Sequence, residues 1–443
     1  MKVGRTPSGP LSYAAIKPIL YCFVLTTLAM AQQNRDPIPV ARKAFDLLLA
    51  EKYSELRSMF NQKMLDALSE DALRNQVGPQ IKALGKPEKI GDAKVQKIQD
   101  VDVVVFPVKF PAGNFNLVIS VDDSGKIAGL FIRPGEAPKS SAWTAPPYVH
   151  PNLLHEREVT VGSGDWKLPG TLTVPNEGGR FPGVVLVHGS GPNDRDETVF
   201  AAKPFRDFAE GLASRGIAVL RYEKRTKLYA PQLLRLKDFT VQQETVDDAL
   251  QAISLIRQQP EIASNRIYLL GHSLGGYLGP RIARLDGKLA GLIILAGSVR
   301  PIQDLIVQQY EYLGANPEQL RKAQEDAAKV NTLKPGGENP PALFGLPSSY
   351  WLDLQHYDPV AEASALKCRL LILQGGRDYQ VTKEDFELWQ RALKNRANVT
   401  LHVYPALNHL FVSGTGKSLP CEYSKPGHVD PAVIEDVADW INA

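Results

Sequence analysis

Gly271-His272-Ser273-Leu274-Gly275 lies between a strand-like run, Arg266–Leu270, and a helical segment that opens at Ser273. A serine on such a sharp turn has its hydroxyl lifted above the sheet, with a helix N-terminus aimed at it. That placement suits a nucleophile. Small residues two before and two after the serine keep strand and helix from colliding, and Gly276 eases their packing further. The pentapeptide G-x-S-x-G arises often by chance, and its position between strand and helix is what gives it weight. A serine hydroxyl is a weak nucleophile by itself, so a base and a group to orient that base must accompany it.

Leu370-Leu371-Ile372-Leu373-Gln374-Gly375-Gly376-Arg377-Asp378 reads as a buried strand ending in a glycine turn and an acid. Asp378 therefore emerges at the carboxyl edge of a parallel sheet, where ligands bind in such architectures. Val381 closes the loop onto the next helix; the other acids, Asp385 in that helix and Asp358 before Pro359, end no strand. Three histidines compete as the base. His402 lies inside the strand Val399–Tyr404, and His428 lies in the loop before the last helix. His409 follows Pro405 in a loop able to reach back over the sheet edge, which makes it the expected base and His428 the alternative. It would take the proton of Ser273 and return it to the leaving group, while Asp378 fixes the imidazole tautomer. His188-Gly189-Ser190-Gly191-Pro192 follows another strand, and its glycines let that loop approach a substrate. The Ser190 and Leu274 N–H groups are the expected donors to a developing oxyanion, with His188 as a brace for the loop. Asn193–Asp196 and Arg221–Arg225 sit at successive strand ends and read as an ion-pair lattice supporting these loops.

The elements that must position these residues alternate along the second part of the chain. Arg157–Val161 and Leu168–Val174 form a hairpin pattern, and a parallel series follows: Pro182–Val187, Ile217–Tyr222, Arg266–Leu270, Leu289–Leu295, Leu370–Leu373 and Val399–Tyr404. Helical segments near 204–214, 241–257, 383–394 and 431–441 lie between or after them. Near-continuous apolar strands require burial on both faces, hence a parallel sheet sandwiched by helices, an α/β architecture. An insert at about 300–366 interrupts the series. It carries Leu305, Ile306, Tyr310, Tyr312, Leu343, Phe344 and Trp351, more apolar surface than a solvated loop needs. It is expected to form a helical cap over Ser273, with Tyr310, Phe344 and Trp351 walling an acyl pocket.

The motifs together resemble those of the α/β-hydrolase-fold serine esterases. The resemblance covers residues 156–443 and rests on His188-Gly-Ser-Gly-Pro with Asp194-Arg-Asp, Gly-His-Ser273-Leu-Gly-Gly, Gly-Gly-Arg-Asp378 and Asn-His409. The chain is similar to secreted carboxylesterases with an extra N-terminal domain, and also to serine-aminopeptidase-like and dienelactone-hydrolase-like branches. A serine rather than a cysteine nucleophile disfavours dienelactone hydrolysis. The resemblance implies a carboxylic ester hydrolase acting on a small-molecule ester without a cofactor. A serine peptidase or acyl thioesterase on the same triad is the alternative, and a non-catalytic binding protein is the reading from another class.

Residues 32–134 begin with helical periodicity, Val40, Ala44, Leu47 and Leu48 sharing one face, and continue with strands. Val101–Phe110 is β-branched and aromatic, and Asp122–Lys126 makes a turn into Ile127–Ile132. This small α+β domain resembles the cone-shaped, nuclear-transport-factor-like domain that precedes some secreted esterases. A Pro-rich linker, 135–155, carries Trp143 and Tyr148, whose rings could dock on a neighbour.

Of 443 residues, 22% are charged and 44% hydrophobic, which fits neither a disordered chain nor a multi-span membrane protein. Lys2, Arg5 and Lys17 precede an apolar run, Ile19–Ala31, that ends in Ala29-Met30-Ala31. Residues 1–31 thus read as a cleaved signal peptide with Gln32 as the first mature residue, and the run is short for a membrane span. The protein is expected to be exported, with no stable membrane insertion after cleavage. Beyond that segment 48 basic residues face 48 acidic ones, so no electrostatic footprint for nucleic acid exists. Cys368 and Cys421 read as unpaired thiols, and no clustered Cys/His set points to a metal.

Overall fold

The computed structural model describes residues 36–443 apart from 99–100, 112, 135–142, 234–235, 237 and 316. The expected signal segment and residues 135–142 of the linker lie outside the described residues. Helices Pro37–Leu49, Tyr53–Ser58 and Gln62–Ala67 come first among the described residues. Strands β1 (Lys89–Ile90), β2 (Lys94–Ile98), β3 (Val101–Phe110), β4 (Gly113–Asp122) and β5 (Ile127–Pro134) then build a five-stranded antiparallel sheet. Alternation along β3 and β4 sends Val104, Phe106, Leu117 and Ile119 to one face. There they meet Phe45, Leu48 and Leu56 from the helices and close one core. Asp122 Oδ1 accepts the N–H groups of Ser124 and Lys126 and so fixes the turn into β5.

The second sheet has eight strands: β6 (Leu154–Val161), β7 (Leu168–Pro175), β8 (Phe181–Val187), β9 (Ala218–Tyr222), β10 (Ile262–His272), β11 (Gly291–Leu295), and, after the short hairpin β12 (Ala342–Leu343) and β13 (Leu346–Pro347), β14 (Arg369–Gly375) and β15 (Val399–Tyr404). Their order is β15-β14-β11-β10-β8-β9-β7-β6. From β15 to β9 every pairing is parallel, and only the β6–β7 hairpin and its junction with β9 run antiparallel. Side chains alternate between two cores. Val185, Leu269, Ile294 and Ile372 enter one; Val184, Leu270, Ile293 and Leu371 enter the other. Burial on both faces is why these strands read as unbroken apolar runs. The edge strand β15 is buried only in part.

The linker aromatics are docked. Trp143 Nε1–H donates to Asp207 at 2.7 Å with Arg206 over its ring, and the buried Tyr148 hydroxyl donates to Val429 O at 2.9 Å. Between β11 and β14 the insert contributes helices Ile302–Tyr312, Pro317–Asn331, Ser348–Gln355 and Pro359–Ala365. Its root is held by Asp385, fully buried, which accepts the N–H groups of Val299 and Arg300 at 2.9 Å each.

One expectation for the insert is corrected. Trp351 has no exposed surface, its indole N–H donates to Leu343 O at 2.9 Å, and its ring meets Tyr350 and Phe344. A side chain so enclosed holds the insert's own core together and walls no pocket. Trp351→Ala should therefore cost about 3–5 kcal/mol in chemical denaturation. Wild-type stability in that variant would contradict a core role.

Candidate active site

Ser273 joins β10 to helix Leu274–Asp286 with φ 53° and ψ −114°, a conformation that non-glycine residues seldom adopt. Its N–H donates to Leu295 O at 2.9 Å. The turn is tight enough that a Cβ at Gly271 would stand 2.1 Å from Gly275 O, and one at Gly275 would stand 2.2 Å from Val187 O. Both glycines are therefore obligatory. The loop after β8 abuts the serine, for a Cβ at Gly189 would lie 3.1 Å from Ser273 Cβ.

Asp378 leaves β14 at the same edge of the sheet. Its Oδ1 accepts the N–H groups of Gln380 and Val381 at 2.8 and 3.0 Å, and its Oδ2 lies 2.6 Å from His409 Nδ1. An ionised carboxylate only accepts, so the imidazole proton sits on Nδ1 and Nε2 is the basic nitrogen. His409 is buried in a loop that Asn408 pins, its Oδ1 accepting from Leu410 N–H and Val412 N–H. Ser273 Oγ has no hydrogen-bond partner among the described residues, and such contacts often tighten only around bound substrate. The first-turn N–H of Leu274 has no partner within its helix.

The competing residues are occupied elsewhere. His428 Nδ1 and the Val429 N–H both meet Asp207, 3.0 and 2.9 Å away. His402 is half exposed beside Asp436. Asp358 caps helix Pro359–Ala365. Tyr310 and Phe344 flank a cleft of about 580 Å³ in the insert whose walls include none of Ser273, Asp378 and His409. Tyr312 stacks on Tyr379, the residue after the acid, with ring centroids 4.9 Å apart, and donates its hydroxyl to Ser418 O. Among the described residues no three His, Cys, Asp or Glu side chains gather as a metal site, and no helix is long and apolar enough to cross a membrane. Cys368 and Cys421 are free.

Residues 184–414 match the model of the Alpha/beta hydrolase family, and residues 41–130 match a Protein of unknown function model, DUF3887. The chain belongs to the alpha/beta hydrolase family. It is 41% identical over 346 residues to Esterase EstD of Thermotoga maritima, covering 77% of this chain and 80% of that protein. Among solved structures, Est1E from Butyrivibrio proteoclasticus is similar at 19% identity over 64% of this chain and 97% of its own, with a TM-score of 0.43. The hyperthermophilic esterase from the archaeon Pyrobaculum calidifontis is similar at 17% identity over 65% of this chain and 85% of its own, with a TM-score of 0.42.

Two buried residues of this hydrolase escaped the sequence reading. Glu197, at φ 50°, accepts the Gly189 N–H at 2.6 Å, and its other oxygen lies 2.9 Å from His272 Nδ1. That oxygen sits off the imidazole N–H axis, so charge rather than a well-aligned hydrogen bond holds the pair. His272 Nε2–H donates to the His409 carbonyl at 2.9 Å. One ion pair thus joins the loop of Gly189 to the loop of His409. Burial alone would depress the pKa of His272, but the Glu197 carboxylate and the His409 carbonyl outweigh it and hold it above 6.5. Burial would likewise raise Glu197, but His272 and the Gly189 N–H hold it below 4.5. His188 goes the other way: burial takes it down to about 4, and the neutral ring braces the loop through Asp194 O. The only sequence signal for the pair was a histidine immediately before the serine and an acid at the end of the Asp194–Glu197 run.

The pH dependence of this pair follows from the two shifts. The stability owed to the raised His272 is complete below about 6.5 and is lost as pH rises through its folded value; that owed to Glu197 is lost as pH falls below about 4.5. His272→Gln should cost about 3 kcal/mol near pH 5.5. The deficit should shrink by about pH 9 in urea unfolding. An equal deficit at both pH values would contradict a charged pair.

Proposed function

We propose that this hydrolase cleaves carboxylic esters of small molecules through a Ser273–His409–Asp378 triad and an acyl-enzyme. The observation that carries the proposal is the pairing of Asp378 with His409 Nδ1 at 2.6 Å, on the sheet edge where Ser273 occupies its strained turn. The 41% identity to a protein named an esterase supports the ester bond as the target. His409 Nε2 takes the hydroxyl proton as Ser273 Oγ attacks the ester carbonyl. The carbonyl oxygen becomes an oxyanion facing the N–H groups of Ser190 and Leu274. Collapse expels the alcohol, which takes the proton from His409, and water activated by the same nitrogen releases the acid. No metal or organic cofactor enters these steps. We further propose that the protein is exported, with cleavage between Ala31 and Gln32; N-terminal sequencing of the protein recovered outside the cytoplasm tests this.

Ser273→Ala should lose at least about three powers of ten in turnover of p-nitrophenyl esters while keeping its circular dichroism spectrum. Asp378→Asn and His409→Ala should be severely impaired, and His428→Ala should stay active. An inactive His428→Ala beside an active His409→Ala would overturn the base. Turnover of aminoacyl anilides in place of every ester in a chain-length panel would move the reading to a peptidase.

A further inference from the structure

Lys224 is a buried cation that the acyl-transfer steps leave unexplained. It is 2% exposed. Its Nζ donates to the Gly189 carbonyl at 2.7 Å and to Glu244 Oε1 at 2.6 Å. The other oxygen of Glu244 accepts from the Tyr350 hydroxyl at 2.7 Å. Glu244 and Tyr350 are buried too, so a buried chain of polar side chains runs from insert helix Ser348–Gln355 to one backbone carbonyl. Burying an ammonium and a carboxylate is costly, and a neutral amide could hold a carbonyl as well.

The location of that carbonyl gives the charge a purpose. It belongs to the Gly189–Ser190 peptide, and in a trans peptide C=O and N–H point in opposite directions. Pinning Gly189 O to Lys224 on one side therefore turns the Ser190 N–H toward the other. Asn193 Nδ2–H adds a second donor to the same oxygen at 3.1 Å. Glu197 holds the preceding N–H, so Gly189 is fixed at both its amide groups beside Ser273.

We propose that Lys224, held by Glu244 and Tyr350, is a positioning residue that aims and polarises the Ser190 N–H toward the oxyanion. This rests on the ester-hydrolysis reading, in which that N–H meets the carbonyl oxygen. Lys224 touches neither the substrate nor the reacting atoms. Its contribution grows only as negative charge develops, so its loss lowers kcat and spares KM.

The experiment compares the wild type with Lys224→Arg and with the double variant Lys224→Met/Glu244→Gln, which leaves no buried carboxylate unpaired. Steady-state kinetics on a p-nitrophenyl ester, affinity for a trifluoromethyl ketone and thermal melting are read together. The double variant should lose about 30-fold in kcat, a fraction of what deleting a whole donor costs, with KM within about twofold. Ketone affinity should fall by a similar factor at a near-unchanged Tm, and Lys224→Arg should recover most of kcat by keeping the charge. Wild-type kcat and ketone affinity in the double variant would overturn the proposal. So would a kcat loss that merely tracks the unfolded fraction. Tyr350→Phe deletes only the far hydroxyl and serves if the double variant does not fold; about threefold lower kcat at unchanged KM is expected, and wild-type kcat would overturn the relay. Ser273→Ala runs alongside: inactive Ser273→Ala with a fully active double variant refutes Lys224 alone, whereas active Ser273→Ala refutes the underlying reading.

Discussion

Everything at the sheet edge depends on the backbone of Ser273. Holding a non-glycine residue at φ 53° costs on the order of 1–3 kcal/mol, so the surroundings must over-determine it. They do so by crowding. Gly271 and Gly275 let helix and strand approach within a distance that no side chain could share, and the Ser273 N–H is tied to β11 through Leu295 O. Parallel pairing of β10 with β8 and β11 sets the height of that turn, since Gly271 registers with Val187 and His272 with Leu295. The ends of β8 and β14 then deliver the loops of Gly189 and Asp378 to the same edge.

Those loops lie beyond the ladder of strand hydrogen bonds, and side chains must hold them. The molecule does this with paired charges, most of them buried. Glu197 meets His272, Lys224 meets Glu244, Arg221 meets Asp196 and Glu156, and Arg377 meets Glu422 beneath the His409 loop. Such pairs are weak as sources of stability, because desolvation offsets most of their attraction. Their geometric demand is strict, however, and removing one partner leaves an orphaned charge. That makes them suited to fixing loops that must not drift by an ångström around a reacting centre.

The parts of this arrangement legible in the sequence are those that obey local rules. The G-x-S-x-G turn, the acid after a buried strand and the histidine after the last strand each follow from what an adjacent element requires, and the apolar periodicity gave the layers. The ends of β10 were harder. The strand begins at Ile262, ahead of the expected Arg266, with a register shift before Ile267, and Ser264 and Asn265 carry no apolar signal that would reveal it. The Glu197–His272 pair is hidden for another reason, because its members are distant in the chain and Glu197 lies just past the Asn193–Asp196 run. Lys224 falls within Arg221–Arg225, which reads as an ion-pair lattice, but its partner Glu244 lies 20 residues further on. The direction in which each side chain points is decided by sheet register, which only the fold supplies. Trp351 failed in the opposite sense: an aromatic in an insert near a site looks like a pocket wall, yet burial of its large ring among Leu343, Phe344 and Tyr350 made it the insert's anchor.

The central claim is that Ser273 attacks a carbonyl whose oxygen turns toward the Ser190 and Leu274 N–H groups. A crystal structure of the protein after reaction with an alkyl phosphonate tests it most directly. We expect phosphorus bonded to Ser273 Oγ, one phosphonyl oxygen within about 3 Å of both N–H groups, and His409 Nε2 facing the leaving-group position. A phosphonyl oxygen turned to solvent, with the Ser190 N–H directed away from it, or an adduct on another residue, would contradict the claim.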